Sequence, residues 1–477
     1  MNLSFSAILS NRSILWGSIL VSIFAFYCIY TDKLAYLALF PLLLFAVVSI
    51  IKPDFIWYSI AFFTPISINP NDVDLGKLSL SIPTEPLLVL LIFLFFYYLI
   101  RTDKIEPEFF RHPFSLLILM YLGWMLITCF TSVEKVVSFK FWISKLWFII
   151  PVYFLGYFYI RDERKFITYI KLFLWSLTIV SIYNIVHLST YQFEDKPSQW
   201  TMQPFFKSHA VLGAVNAMCL PLALGVIRYE KGKGLQQVLF FIVFLALTAC
   251  LIFTYSRAAW ISVVPSVLLY FALKLKIPFR FLLSLIVIIL AGILLNLESI
   301  IRNLETNKVA SSDDLIENVE SISNISTDVS NLERINRWAC AVDMWKSKPL
   351  FGFGPGTYMF EYAPFQLSGN RTEISTNSGD VGNAHSEYLG PLAEQGLLGG
   401  LLMLALLIFI LYYSFKTYLV ATTQSDRIII SMSACALISY LTHGFLNNFL
   451  DMDKAAVPFW ALICALVASD LRKLKVH

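Results

Sequence analysis

The stretch "LQQVLFFIVFLALTACLIFTYSRAAWISVVPSVLLYFAL", residues 235 to 273, decides the fold. It holds two apolar runs, 235 to 255 and 258 to 273, close to the roughly 20 residues that carry a helix across a bilayer. Inside lipid a backbone must satisfy its own hydrogen bonds, so an open chain of this composition spans as helix. The two runs meet at Arg257 with almost no loop between them, so the segment reads as a helical hairpin with a guanidinium at its turn.

The rest of the chain repeats the pattern. Of its 477 residues 58% are hydrophobic and 14% charged, where soluble domains carry about 45 to 50% and about 25%. Hydropathy gives fourteen candidate spans, near 14 to 30, 34 to 51, 55 to 69, 84 to 100, 113 to 131, 146 to 160, 166 to 188, 209 to 227, 235 to 255, 258 to 273, 281 to 297, 397 to 413, 428 to 445 and 455 to 469. The third and sixth are short enough to be tilted partners or re-entrant segments, which brings the expected count to about 12 to 14. The expected fold is therefore all-α and polytopic. Its expected organisation is eleven spans with short loops over 1–297, one large loop over 298–390, and three spans with a tail over 391–477. The first run follows Arg12 like a signal peptide, but the Tyr-Thr-Asp-Lys after it lacks a small-residue cleavage pattern, so it is kept as a span.

Several function classes drop out. A net charge of +4 with no basic stripe interleaved with aromatics gives nucleic acid no footprint. The seven cysteines, Cys28, Cys129, Cys219, Cys250, Cys340, Cys435 and Cys464, form no CxxC pair, nearly all sit in apolar runs, and read as small hydrophobes. Metal chemistry has no HExxH and no Cys/His spacing; Asp451 and Asp453 are the nearest carboxylate pair, so neither metal nor cofactor is expected.

Lysine and arginine bias orients the chain. With the N-terminus inside, the inner side collects Arg101, Lys104 and Arg111, then Arg161, Arg164 and Lys165, then Arg228, Lys231 and Lys233, then Lys274, Lys276 and Arg280, then Lys416 and Arg427, then Arg472, Lys473 and Lys475. Lys135, Lys140 and Lys145, beside Trp142 and Trp147, break the bias and suggest a helix lying at the opposite interface. Both termini fall inside and the long hydrophilic stretch falls outside. The first half of that stretch is rich in Ser, Asn and Asp. Its second half, "RINRWACAVDMWKSKPLFGFGPGTY" from Arg334, sets Ile335, Trp338, Ala339, Val342 and Trp345 at helical spacing, with Pro349 as a stop and Gly352, Gly354 and Gly356 as a turn.

Candidate chemistry gathers on that outer side. His385 stands just before a span and titrates near neutral pH, as a general base must. Glu387 or Glu394 is in sequence range to orient its imidazole, or to cap the helix that follows. Arg257 is either a snorkeller on lipid phosphate or a planar bidentate clamp for a diphosphate. Arg334 and Arg337 read as a solvated face or as further clamp residues. Lys207 with His209 forms a second cluster at the outer edge, an interfacial anchor or a substrate contact, and Asn383 closes the polar turn before His385. His443 and Asn447 carry the weakest signal. Within the spans ionisable residues are few, Lys171 being the clearest, which suits an enzyme working at the membrane surface better than a charge-lined transporter.

Taken together, "TYSRAAW", "RINRWACAVDMWKSKPLFGFGPGTY" and "AHSEYLGPLAEQGLLG", in that order around a long outer loop, resemble the O-antigen ligase and polymerase family of bacterial envelope enzymes over roughly residues 200 to 415. The resemblance implies a glycosyltransferase of the bacterial inner membrane, its loop periplasmic, taking a glycan from undecaprenyl diphosphate to an acceptor hydroxyl. O-antigen ligation to lipid A-core is the leading expectation. A polymerase and a protein O-oligosaccharyltransferase share the motifs, and a lipid-linked oligosaccharide flippase is the rival of a different class. By resemblance His385 matches the loop histidine proposed as base, and Arg257 and Arg334 match arginines proposed to hold the diphosphate; Arg337 matches no motif position. This chain has Ser386 where many relatives carry asparagine, and more apparent spans than the dozen expected of a ligase.

Overall fold

In the computed structural model the structure describes residues 52–70, 80–101, 106–284, 288, 329–366 and 382–474. The first two candidate spans and most of 281–297 lie outside the described residues, as does the first half of the long loop up to residue 328. Residues Ile60–His477 form one compact unit; of Met1–Ser59, only the start of a helix is described.

Every long element is helical, and among the described residues the only β contact is an isolated bridge between Ile68 and Ile82. In chain order the helices are α1 Pro53–Ile66, α2 Thr84–Arg101, α3 Pro113–Phe130, α4 Lys135–Ile149, α5 Glu163–Ser189, α6 His209–Tyr229, α7 Leu235–Phe253, α8 Arg257–Lys274, α9 Val329–Ser347, α10 Leu389–Leu419, α11 Gln424–His443 and α12 Asp453–Leu474. Among the described residues eight helices are long and apolar enough to cross a membrane, the hairpin α7–α8 included. The chain is an all-α polytopic membrane protein.

Helix starts follow local chemistry. Asp162 caps α5 by accepting from the amides of Arg164 and Lys165 at 2.9 and 3.2 Å. Thr423 caps α11, its hydroxyl accepting from the Asp426 amide at 3.0 Å. Packing then sorts the faces in the sense lipid demands. α7 and α8 leave Phe241, Ile242, Leu245, Val264, Leu268 and Phe271 exposed, while α12 is apolar and buried all round, with Ala455, Ala456, Ala461, Ala465 and Ala468 at 1% exposure or less. Lipid supplies no hydrophobic drive between helices, so small residues that let backbones approach hold the bundle. Gly225 of α6 shows this directly: a Cβ there would stand 2.4 Å from Met432 Sδ of α11.

Two details depart from the sequence reading. Lys135 to Ile160 is one apolar rod, continued from α4 through a π-helical turn at Ile150–Leu155 that contains Pro151, rather than an interfacial helix followed by a short span. Lys145 is therefore buried in the bundle, where its ammonium meets the Asp451 carboxylate and donates to the Leu450 carbonyl at 3.1 Å. Lys171 is not a mid-span charge; at 2.7 Å from Glu230 and 3.1 Å from Gln236, it belongs to the polar end of the α5–α7 group.

Candidate active site

Helix polarity brings the starts of α6, α8, α10 and α12 and the ends of α3, α7 and α11 to one end of the bundle. The arginine hairpin, the loop helix α9 and the His385 turn all stand there.

The hairpin turn is built tightly. Tyr255 takes φ +50° and its hydroxyl donates to the Phe193 carbonyl at 2.5 Å. Trp260 reaches back to the Leu251 carbonyl at 2.8 Å, tying α8 to α7. α6 lies so close that a Cβ on Gly213 would come 3.0 Å from Ser256 Cβ. Arg257 is thereby fixed as the first residue of α8, with Asp195 near enough to act on it electrostatically.

The glycine turn after α9 locks onto the start of α10. The Phe353 amide donates to the Ala393 carbonyl at 3.2 Å, the Gly354 amide to the Glu394 carbonyl at 2.7 Å, and the Leu397 amide to the Pro349 carbonyl at 2.9 Å. This backbone-on-backbone fit requires glycine at two points. Gly352 at φ +66° has no room for a Cβ beside the Glu394 backbone, and Gly396, which kinks α10 at φ +69°, has none beside the Leu350 carbonyl, 2.1 Å away. Glu394 completes the lock by accepting from the Tyr358 amide at 3.0 Å.

His385 sits in the turn between these pieces at φ +46°, a left-handed conformation costing a β-carbon residue roughly 1 to 2 kcal/mol. Its neighbours hold it there. The His385 amide donates to Asn383 Oδ1 at 3.0 Å, Trp338 Nε1 of α9 donates to the His385 carbonyl at 3.4 Å, and the Glu387 amide donates to the Gly444 carbonyl at 2.8 Å. Strained backbone of this kind collects at functional sites, where the surroundings over-determine it. Ser386 accepts from the amides of Tyr388 and Leu389, both at 3.3 Å, and so starts α10.

Glu387 does not serve as the orienting group foreseen for the imidazole. Its Oε1 accepts from Tyr440 Oη at 2.6 Å and from the amides of Phe449 and Leu450 at 2.8 and 2.9 Å, pinning the His385 turn to the segment after α11. Burial pushes its carboxyl above the usual range, with Asp451 adding and Lys145 opposing. Asn447, whose Nδ2 meets His443 Nε2 at 3.1 Å, is close enough to act on the His385 imidazole.

The three loop and hairpin arginines do different things. Arg337 is buried and engaged: its Nε donates to Glu333 Oε1 at 2.8 Å, its Nη1 to the Asn383 carbonyl at 3.3 Å, and its guanidinium lies 5.2 Å from the Tyr362 ring centre. Gly382 is bare because any Cβ would occupy the Arg337 guanidinium. Arg334 lies one turn earlier, close enough to Arg257 that each feels the other's charge; burial, then Arg257, pull its pKa down to about 10, which leaves it cationic at neutral pH. His385 is pushed down to about 4 by burial first and by Arg337 and Arg334 next, the Asn447 bond and Glu333 acting the other way. The result is a neutral imidazole beside buried cations. His209 at the start of α6 also feels Arg334, whereas Lys207 is exposed.

Such a site can bind a multiply charged anion, which relieves the repulsion between Arg334 and Arg257, and can take a proton at the same place. Sequence reasoning ranked His443 and Asn447 last because each is a lone polar residue near the end of an apolar span. They meet just past the end of α11, where the Asn447 backbone amide also donates to the His443 carbonyl at 3.1 Å. Glu333 and Arg337 carry a clearer signal, a spacing of four within α9.

Residues 241–404 match the O-antigen ligase family (Wzy_C), a stretch that includes Arg257, Arg334, Arg337, Asn383, His385 and Glu387. No curated protein matches the chain.

Proposed function

On the premise that the chain is a member of the O-antigen ligase family through residues 241–404, a membrane glycosyltransferase family, we propose that it transfers a glycan from undecaprenyl diphosphate to an acceptor hydroxyl on the periplasmic face of the bacterial inner membrane. What supports this is His385 held at φ +46° by Asn383 and Trp338, its pKa pushed down to about 4 by burial and by Arg337 and Arg334, with Arg257 close to Arg334. His385 removes the proton of the acceptor hydroxyl as that oxygen attacks the anomeric carbon, with inversion, and the bond to the lipid diphosphate breaks. Arg257 and Arg334 stabilise the charge that grows on the departing diphosphate in a low-dielectric setting. Products are the new glycoside, the lipid diphosphate and one proton. The leaving group is already activated, so no nucleotide is consumed, and the arginines take the role a divalent ion plays elsewhere.

Within this scheme Arg337 supports the His385 turn, Asn383 holds the His385 amide, and Lys207 and His209 flank the acceptor side. The basic residues Arg161, Lys165, Lys416 and Arg472, on the inner side of the lysine and arginine bias, support the proposed sidedness, with both termini cytoplasmic and residues 298–390 periplasmic. The donor is the undecaprenyl-diphosphate glycan, and the leading acceptor is lipid A-core, which makes the activity O-antigen ligation.

Reconstitution of the purified protein with lipid-linked donor and lipid A-core tests the proposal. A new glycosidic bond is expected. Glycan movement across the bilayer without bond formation would mean a flippase, lengthening of the lipid-linked glycan alone would mean a polymerase, and glycan on Ser or Thr of added protein would mean an oligosaccharyltransferase.

A further inference from the structure

Three lysines, Lys135, Lys140 and Lys145, break the bias of basic residues, and burial against Asp451 accounts for Lys145 alone. Lys135 and Lys140 are exposed on α4, and neither has an ion-pair partner among the described residues. α4 starts where α3 ends, at the end of the bundle that carries His385. Contacts join this turn to the site. Phe130 meets Phe139 edge to face at 5.3 Å, and the Val133 amide and the Ser132 hydroxyl both donate to the Phe353 carbonyl, at 3.0 and 3.3 Å. Phe353 belongs to the glycine turn that locks onto α10. Trp124 of α3 stacks on Phe351 at 5.5 Å, and the Lys348 ammonium stands 4.3 Å from the Phe353 ring centre. Along this junction Phe130, Val133, Val136, Leu350 and Phe351 are between 39% and 68% exposed. The surface thus sets apolar side chains beside ammonium groups, and Glu134 is the only carboxylate in residues 131–140.

We infer that the α3–α4 turn, with Lys348 and Phe351 beside it, docks the acceptor, and that the acceptor is a phosphorylated lipid whose phosphates meet Lys135, Lys140 and Lys348 while its acyl chains lie on the apolar strip. This rests on the transferase reading given above. Charge and apolarity together select the occupant. Acyl chains alone need no lysine, and a free anion needs no strip of exposed phenylalanine and valine, whereas a phosphorylated, acylated glycolipid uses both halves. The surface holds only the lipid end of the acceptor; the glycan end, with the hydroxyl that reacts, extends to His385 and the edge flanked by Lys207 and His209. The donor arginines stand on other elements. α8, which Arg257 begins, packs on α6 and α11, while α3 packs on α4 and α10. Two lipids therefore reach the His385 turn without sharing a surface.

The test uses full-length protein in proteoliposomes of phosphatidylethanolamine and phosphatidylglycerol with a minor share of lipid A-core, and has two readouts. The first is kinetic. A lysine beside an anionic lipid contributes about fivefold in binding, so Lys135→Gln combined with Lys140→Gln should raise acceptor KM roughly 10- to 30-fold, with kcat and donor KM within about twofold. Lys135→Arg with Lys140→Arg keeps the charge and should match wild type, and an acceptor stripped of its phosphates should show in wild type the KM of the glutamine variant. The second readout needs no turnover. Benzoylphenylalanine in place of Val136, activated by light, should capture lipid A-core well above its share of the vesicle, as read by adduct mass, and the glutamine pair should abolish that enrichment. Adducts that follow vesicle composition, or an acceptor KM unmoved by the glutamine pair, overturn the inference. Selective capture by a wild type that transfers nothing would uphold the lipid surface and remove the transferase reading; transfer with unselective capture would do the reverse.

Discussion

Glu387 offers a prediction whose size can be worked from contacts. Replacing it with alanine removes the acceptor of three short bonds, from Tyr440 Oη, the Phe449 amide and the Leu450 amide, in a residue 6% exposed. The Phe449 amide keeps a second acceptor, Tyr440 Oη at 3.1 Å, so two donors are orphaned: the Leu450 amide and the Tyr440 hydroxyl hydrogen. Each buried orphan costs about 1 to 3 kcal/mol, giving about 2 to 6 kcal/mol, a large share of a typical 5 to 15 kcal/mol of stability. The same inventory fixes a non-additive pair. Tyr440→Phe alone removes one bond to the carboxylate and should cost about 1 to 2 kcal/mol. In the Glu387→Ala background it exchanges one orphan, the hydroxyl, for another, the Phe449 amide, and should cost close to nothing. The assay is SDS-driven unfolding of the purified protein followed by tryptophan fluorescence, on wild type, both single variants and the double. Because the carboxylate also pins the His385 turn, transfer should fall in Glu387→Ala below the unfolding midpoint. Additive losses across the cycle, or an unchanged midpoint in Glu387→Ala, would refute the assignment of Glu387 as the pin.

Three further outcomes follow from the same geometry. His385 is held at about 4, so kcat/KM should rise with pH through about 4 and stay flat to neutrality, since lowering the pKa of a base extends its neutral form to lower pH; bound diphosphate favours the imidazolium, so the limb in kcat should lie above the limb in kcat/KM, and a limb in kcat/KM near the ordinary 6.5 contradicts the buried, cation-flanked setting. Gly396→Ala puts a Cβ 2.1 Å from the Leu350 carbonyl at φ +69°, so beyond the roughly 1 to 2 kcal/mol of backbone strain it must separate the glycine turn from α10; a variant as stable as wild type in the unfolding assay would show the lock to be unnecessary. Arg257→Lys keeps the charge and loses the planar fork, so donor KM should rise about 10- to 100-fold, equivalent to about 1.4 to 2.8 kcal/mol, with membrane insertion intact; an unchanged KM would favour a guanidinium that only anchors to lipid phosphate.

Much of the fold was legible because hydropathy acts over whole spans. The hairpin at 235 to 273 and the loop helix around Arg334 stand where periodicity put them, and eleven of the fourteen candidate spans coincide with described helices. The reading failed where one residue competes with its neighbours. Lys135, Lys140 and Lys145 look interfacial as a group, yet Lys145 is buried, because Asp451, 306 residues later, supplies the counter-charge. The site divided along the same line. His385 and the arginines were visible through their chemistry and their place at a span edge. The partners of Glu387 were not, since a carboxylate two residues from a histidine looks like an orienting group until the backbone amides at 449 and 450 come into view.

The central claim is that His385 acts as the base for transfer from a lipid-linked diphosphate. It is tested most directly by measuring, in proteoliposomes, the rate at which wild type and His385→Ala move labelled glycan from undecaprenyl diphosphate to acceptor. The account predicts a fall of roughly 10² to 10⁴ in the alanine variant, with equal amounts of folded protein in the membrane and donor still bound. A variant that turns over at the wild-type rate would contradict it.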